Sequence, residues 1–169
     1  MAAIVALLLL VPAAGASAAS ATRQVQMLDD CDPATFNAAI GPGTCVKDGG
    51  TTFSEFIAQL LAQGRAPAWR FAPAQLKLDP GGTLAAHNRG GEDHTFTEVA
   101  NFGGGCIAAL NSLLGLTPVP ECAGFPGGGA FAATLVRPGG AVTTSPLPPG
   151  IHRYECLIHP WMRTTVTVG

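Results

Sequence analysis

Three residues near the C-terminus carry the strongest chemical signal. Cys156, His159 and Met162 stand at three-residue intervals within GIHRYECLIHPWMRTTVTVG. A thiolate, an imidazole and a thioether on one short loop are soft metal ligands. Two imidazoles and a thiolate in a trigonal plane, with a weak axial methionine, is the set that favours copper and one-electron exchange. The pattern therefore points to one copper ion, cycling between Cu(I) and Cu(II), and calls for a second imidazole from elsewhere in the chain. The stretch HNRGGEDHTFTEV offers two, His87 and His94. The remaining histidine, His152, stands four residues before Cys156. On a strand that separation is about 13 Å, too far to share the same ion, so His152 is expected to be a core or supporting residue.

The cysteines fit that chemistry. Five are present, Cys31, Cys45, Cys106, Cys122 and Cys156. An odd number in an exported chain suggests two disulfides and one thiol kept for another purpose. Pairing Cys31 with Cys45 and Cys106 with Cys122 closes two short loops at small entropic cost, although four cysteines allow three pairings. Cys156 is then the odd one out.

Two kinds of element must position these residues. Asp32-Pro33 reads as an N-cap with proline at the first helical position, and Gly41 as a stop. Thr52 and Glu55 have capping-box spacing, followed by apolar residues at 53, 56, 57, 60 and 61 and a stop at Gly64. From Trp69 onward short β-prone runs are cut by Gly and Pro, at 69–71, 76–78, 83–87, 94–99, 131–136, 141–144, 151–157 and 163–168. Runs of this length and spacing predict an antiparallel sandwich or barrel. Between Gly103 and Gly129 a Gly- and Pro-rich excursion, with Ile107, Leu110, Leu113, Leu114 and Leu116, is expected to form a helical turn or two.

These motifs resemble the cupredoxin, or type 1 blue copper, family. Its last ligand loop commonly reads aromatic-x-Cys-x-x-His-Pro-x-Met, as do Tyr154, Cys156, His159, Pro160 and Met162, and its first ligand closes an Asn-containing turn, as do Asn88 and His94-Thr95. The last ligand loop is most similar to that of amicyanin. The resemblance covers residues 69–169. It implies an all-β, Greek-key sandwich in which His94, rather than His87, joins Cys156, His159 and Met162 on copper. It further implies that the Thr95 amide donates to the Cys156 sulfur and that Asn88 braces the two ligand loops. The expected organisation is a signal peptide over 1–18, a disulfide-linked helical accessory segment over 19–68 and a copper domain over 69–169.

Composition bounds the function. The 169 residues are 47% hydrophobic and 12% charged, which argues for a packed domain, and 9 basic against 11 acidic side chains give a formal net charge of −2. No basic stripe interleaves with aromatics, so nucleic acid is not expected as a partner. The opening run MAAIVALLLLVPAAGASAAS ends in Ala16-Ser17-Ala18, which suits signal cleavage, and it falls short of the roughly 20 apolar residues of a bilayer span. Export to a periplasmic or extracellular space, without stable membrane insertion, is the expectation. Four histidines are too few for the further copper centre of an oxidase or nitrite reductase, so a carrier rather than an enzyme is expected. A monomeric one-electron carrier would meet a redox protein near His159 and Trp161, with the His159 ring edge as an exposed exit for electrons. The alternative is copper carriage or sequestration without a redox partner.

Overall fold

The computed structural model describes residues 21–169, so the segment expected to be a signal peptide lies outside the described residues. The first strand, β1 (Thr22–Leu28), alternates exposed Gln24 and Gln26 with buried Val25 and Met27, the period of a half-buried strand. The expectation that strands begin only at Trp69 misses it. β1 lies at the centre of a four-stranded sheet, between β2 (Arg70–Ala72), to which it is antiparallel, and β4 (Thr83–Asn88), to which it is parallel. β8 (Ala141–Thr143) completes that sheet on the far side of β4.

The second sheet runs in the order β3 (Gln75–Leu78), β10 (Arg163–Val168), β9 (Gly150–Glu155), β6 (Thr97–Glu98). β3 and β10 are parallel, so both sheets are mixed rather than purely antiparallel. A two-stranded ladder of β5 (His94–Thr95) and β7 (Leu135–Val136) stands beside them. The expected strand at 94–99 is thus broken after Thr95, and β5 and β6 belong to different ladders. Val25, Met27, Leu84 and Ala86 from one sheet meet Leu78, Tyr154, Val166 and Val168 from the other in a single core, which makes the fold a β-sandwich.

Helices fill the connections. α1 (Pro33–Ala39) is capped by Asp32, whose carboxylate accepts the Ala34 and Thr35 amides. α2 (Phe53–Gln63) carries the full Thr52–Glu55 capping box and ends on Gly64 in the left-handed conformation, φ 67°. Phe36 of α1 packs on Phe53, Phe56 and Trp69, with ring centroids 5.4, 5.5 and 5.7 Å apart, and Phe36, Phe56 and Leu60 belong to the sandwich's own core. The Cys31–Cys45 disulfide ties the end of β1 to the chain after α1, and Cys106–Cys122 spans α3 (Ala108–Leu114).

One run changes type. The stretch 131–136, expected to be extended, starts inside α4 (Gly129–Thr134) and becomes strand only at Leu135. Alanine-rich FAAT suits a helix once glycine lets the chain enter, and the Thr134 hydroxyl donates back to the Ala130 carbonyl.

Candidate metal centre

β9 ends at Glu155, so Cys156 begins the loop that turns the chain into β10. Two backbone bonds close this loop tightly: the Cys156 amide donates to the Met162 carbonyl at 3.1 Å, and the Met162 amide to the His159 carbonyl at 2.9 Å. The short sequence spacing of the three residues is therefore translated directly into a compact loop, and the Cys156, His159 and Met162 side chains are all buried.

His94 arrives from the other side, on β5. The turn before it is held by Asn88, whose Oδ1 accepts the Gly90 amide at 2.9 Å and whose Nδ2 donates to the Glu92 and Val136 carbonyls at 2.7 and 2.9 Å. Asn88 thus braces the His94 turn against β7 and not, as the resemblance implies, against the Cys156 loop. Thr95 makes that second connection. Its amide lies 3.4 Å from Cys156 Sγ, the donation the resemblance implies, and its Oγ1 accepts the Leu157 amide at 2.7 Å.

The structure brings His94, Cys156 and His159 together. Their ligand atoms lie within 4.8 Å of one another, and Cys156 Sγ is 3.9 Å from Nδ1 of each histidine. Metal–sulfur and metal–nitrogen bonds of about 2.3 and 2.0–2.1 Å, set at 120°, place sulfur about 3.8 Å from nitrogen. The cluster therefore has the span of a three-coordinate metal plane. One thiolate with two imidazoles is not the donor set of common structural zinc sites, which use two to four cysteines, whereas it is the trigonal set of blue copper. His87 lies on β4, paired with Gln26 and Ala141, and is not part of the cluster. His152 sits on β9 with its Nδ1 2.6 Å from Glu98 Oε1 and its Nε2 2.9 Å from the Pro148 carbonyl.

Two carboxylates missed at the level of sequence stand behind the histidines. Asp29 Oδ2 lies 2.8 Å from His94 Nε2, with both side chains almost wholly buried. Asp29 follows β1 directly, and the register Met27 opposite Asn88 sets it beside the His94 turn. Gly90 permits the approach, since a β-carbon there would fall 1.8 Å from Asp29 Oδ2. Asp29 also accepts the Gly91 and Glu92 amides. On the other side Glu92 Oε2 lies 3.6 Å from His159 Nε2 and accepts the Trp69 indole N–H at 2.5 Å. The far nitrogen of His94 is thus hydrogen-bonded to a carboxylate, the arrangement that fixes tautomer and ring orientation at metal sites, and that of His159 has a carboxylate nearby at ion-pair distance.

The electrostatics follow from this. Burial works against ionisation of Cys156, yet the two imidazoles beside it hold the thiol well below its ordinary range. Burial also works against a charged His94, but Asp29 and the Cys156 sulfur together lift it to about 9. Burial raises Glu92 above the usual carboxylate range, against the pull of His159 and Trp69. Before any metal binds, the site already favours a thiolate, the form a soft metal requires.

His159 is not the exposed exit expected of it: only 3% of its surface is accessible. The rings of Phe56, Trp69 and Trp161 surround it at 6.3, 6.5 and 5.5 Å. Trp161 is itself half-buried and donates its indole N–H to the Ala66 carbonyl at 3.2 Å. Of these rings only Phe56, on α2, lies outside the span of the resemblance, while Trp69 stands at its start and Trp161 on the ligand loop itself.

No protein-family model matches the chain, and no curated protein does. Solved structures similar to it are cupredoxins. A purple cupredoxin from Nitrosopumilus maritimus is 15% identical at a TM-score of 0.46, over 87% of this chain and 99% of that one. The oxidized plastocyanin of Dryopteris crassirhizoma is 14% identical at a TM-score of 0.40, over 86% and 99% of the two chains. A reduced Cu(I) amicyanin variant is 20% identical at a TM-score of 0.38, over 59% of this chain and 73% of that one.

Proposed function

We propose that this chain is a mononuclear type 1 copper protein that carries single electrons between redox partners, on a Greek-key sandwich with a helical cover held by the Cys31–Cys45 disulfide. The observation that carries the reading is the buried His94–Cys156–His159 cluster with its near-equal sulfur–nitrogen spacings. Met162, fully buried on the same loop, is the proposed axial ligand. Copper at this site would supply the change of one charge, and the residues do the rest. Asp29 holds the His94 imidazole by a hydrogen bond, the Phe56, Trp69 and Trp161 rings confine that of His159, and Thr95 locks the two ligand loops together, so little can rearrange when the charge changes.

Burial favours the electron carrier over the alternative of copper delivery, because an ion behind Phe56, Trp69 and Trp161 has no exposed ligand by which an acceptor could remove it. The electron's route to the surface would run through Trp161. A groove beside that indole is flanked by Arg65 and Arg70, which suits a redox partner that presents carboxylates near His159 and Trp161. Two disulfides alongside one unpaired buried thiol support an exported, periplasmic or extracellular protein. Among the described residues no helix is long and apolar enough to cross a membrane.

The test is to load the purified protein with Cu(II) and record its visible and electron paramagnetic resonance spectra. An intense sulfur-to-copper band that disappears in Cys156→Ser is expected. A colourless protein with a square-planar copper signal would overturn the reading.

A further inference from the structure

A cavity of about 410 Å³ opens between α1, α2 and α3 and ends at Glu92 and His159. Its walls are apolar and partly aromatic, formed by Phe53, Phe56, Ile57, Leu110 and Ile158. That volume lies in the range of small-molecule sites, and apolar walls with one or two convergent polar groups are their usual make-up. The polar group here is unusual. Glu92 is 4% exposed, and both of its side-chain contacts, to Trp69 Nε1 and His159 Nε2, fall on Oε2. Oε1 accepts no hydrogen bond among the described residues, although Glu92 lines this cavity and a second, smaller one beside Pro42 and Gly43. That oxygen is not among the fully buried atoms left without a partner, so it keeps an accessible face, and a ligand that brings a donor into the cavity can reach it.

We propose that this cavity is a binding site for a small phenol, whose ring lies among Phe53, Phe56 and Leu110 and whose hydroxyl donates to Glu92 Oε1. An aromatic body fits because phenylalanine walls favour edge-on and offset ring contacts over an aliphatic chain. A hydroxyl fits because a hydrogen bond from a neutral donor to a carboxylate is charge-assisted. The site is formed by α1, α2 and α3 and is present whether or not a metal is bound, so it stands or falls separately from the copper reading.

Isothermal titration of the copper-loaded and the metal-free protein with 4-ethylphenol and 4-ethylanisole tests it, because the anisole keeps the ring and the oxygen but replaces the donor hydrogen with a methyl group. One 4-ethylphenol per chain should bind at least tenfold more tightly than the anisole, in both forms of the protein. Glu92→Gln should narrow that gap to threefold or less. Ala109→Trp, an exposed α3 position on the cavity wall, should weaken both probes tenfold or more and leave the visible spectrum unchanged. Equal binding of the two probes, no binding at millimolar concentration, or binding indifferent to Ala109→Trp would each overturn the proposal. So would a dimer in solution that Leu113→Asp dissociates, since the cavity would then be the seat of a second copy. Should Glu92→Gln fail to fold, the comparison of the two probes on the unaltered protein still decides.

Discussion

Asp29 and His94 meet 2.8 Å apart, carboxylate oxygen to Nε2, at the point where the central strand of one sheet ends beside the turn that presents the first candidate ligand. The contact couples the sandwich to the site. Asp29 also accepts the Gly91 and Glu92 amides, so its two oxygens face donors only. In Asp29→Asn the amide nitrogen must point at one of those donors. Copper affinity, measured by competition with a chelator, is expected to fall about 10–100-fold while the visible band persists. An unchanged affinity would show that Asp29 does not orient His94.

Thr95 offers a cleaner separation of stability from ligation. Thr95→Val keeps the backbone amide that faces Cys156 Sγ but removes the hydroxyl that accepts the Leu157 amide. The Leu157 N–H is then buried without a partner, at a cost of about 1–3 kcal/mol. Urea unfolding of the metal-free protein should show that loss, with the copper spectrum of the loaded protein nearly unaltered. A loss below about 0.5 kcal/mol would mean that water reaches the amide.

What could be read from the sequence, and what could not, divides along chain distance. Cys156, His159 and Met162 fall within seven residues, and the β-prone runs on either side with Pro160 between them favour a tight loop there over a helix face of the same spacing. The helix caps at Asp32 and Thr52 are equally local and appear as written. Asp29 is 65 residues from His94, and Glu92 is 67 from His159, so both were visible as residue types but not as neighbours. Only the register of β1 against β4 brings Asp29 to the site. β1 did carry a signal in the alternation at Val25 and Met27, hidden by its position just after the apolar opening run. The burial of His159 had only a partial local signature, Trp161 two residues further on. It results from α2 folding over a loop roughly 100 residues later, a consequence of where the Phe36, Phe56 and Trp69 rings find apolar partners.

His152 and Glu98 form an ion pair away from the ligand cluster, 2.6 Å apart between β9 and β6. Burial opposes the charged ring, but the Pro148 carbonyl and Glu98 outweigh it and raise His152 above its ordinary value. A raised histidine stabilises the fold fully below its unfolded value of about 6.5 and loses that contribution as pH climbs through the folded value. Glu98 is half-exposed, so the pair is expected to be worth only about 0.5 kcal/mol. Glu98→Gln should therefore destabilise the protein at pH 5.5 and approach the parent at pH 9. A stability difference that grows with pH would reverse the assignment.

The two histidines of the cluster differ in what lies behind them, and cavity rescue distinguishes them. His94 is fully buried and does not line the 410 Å³ cavity, so His94→Gly leaves a void that closes against Asp29 and the β5 turn. His159 is also buried, but it forms the inner end of the 410 Å³ cavity. In His159→Gly, added imidazole has an apolar passage to the vacated position, with Glu92 there to accept the hydrogen bond from its far nitrogen. Millimolar imidazole should restore the visible band in His159→Gly and leave His94→Gly colourless. Combining His159→Gly with Ala109→Trp should slow that recovery, since the added indole narrows the passage. Equal rescue of both single variants would show that solvent reaches His94 by another way and that the cavity is not the route.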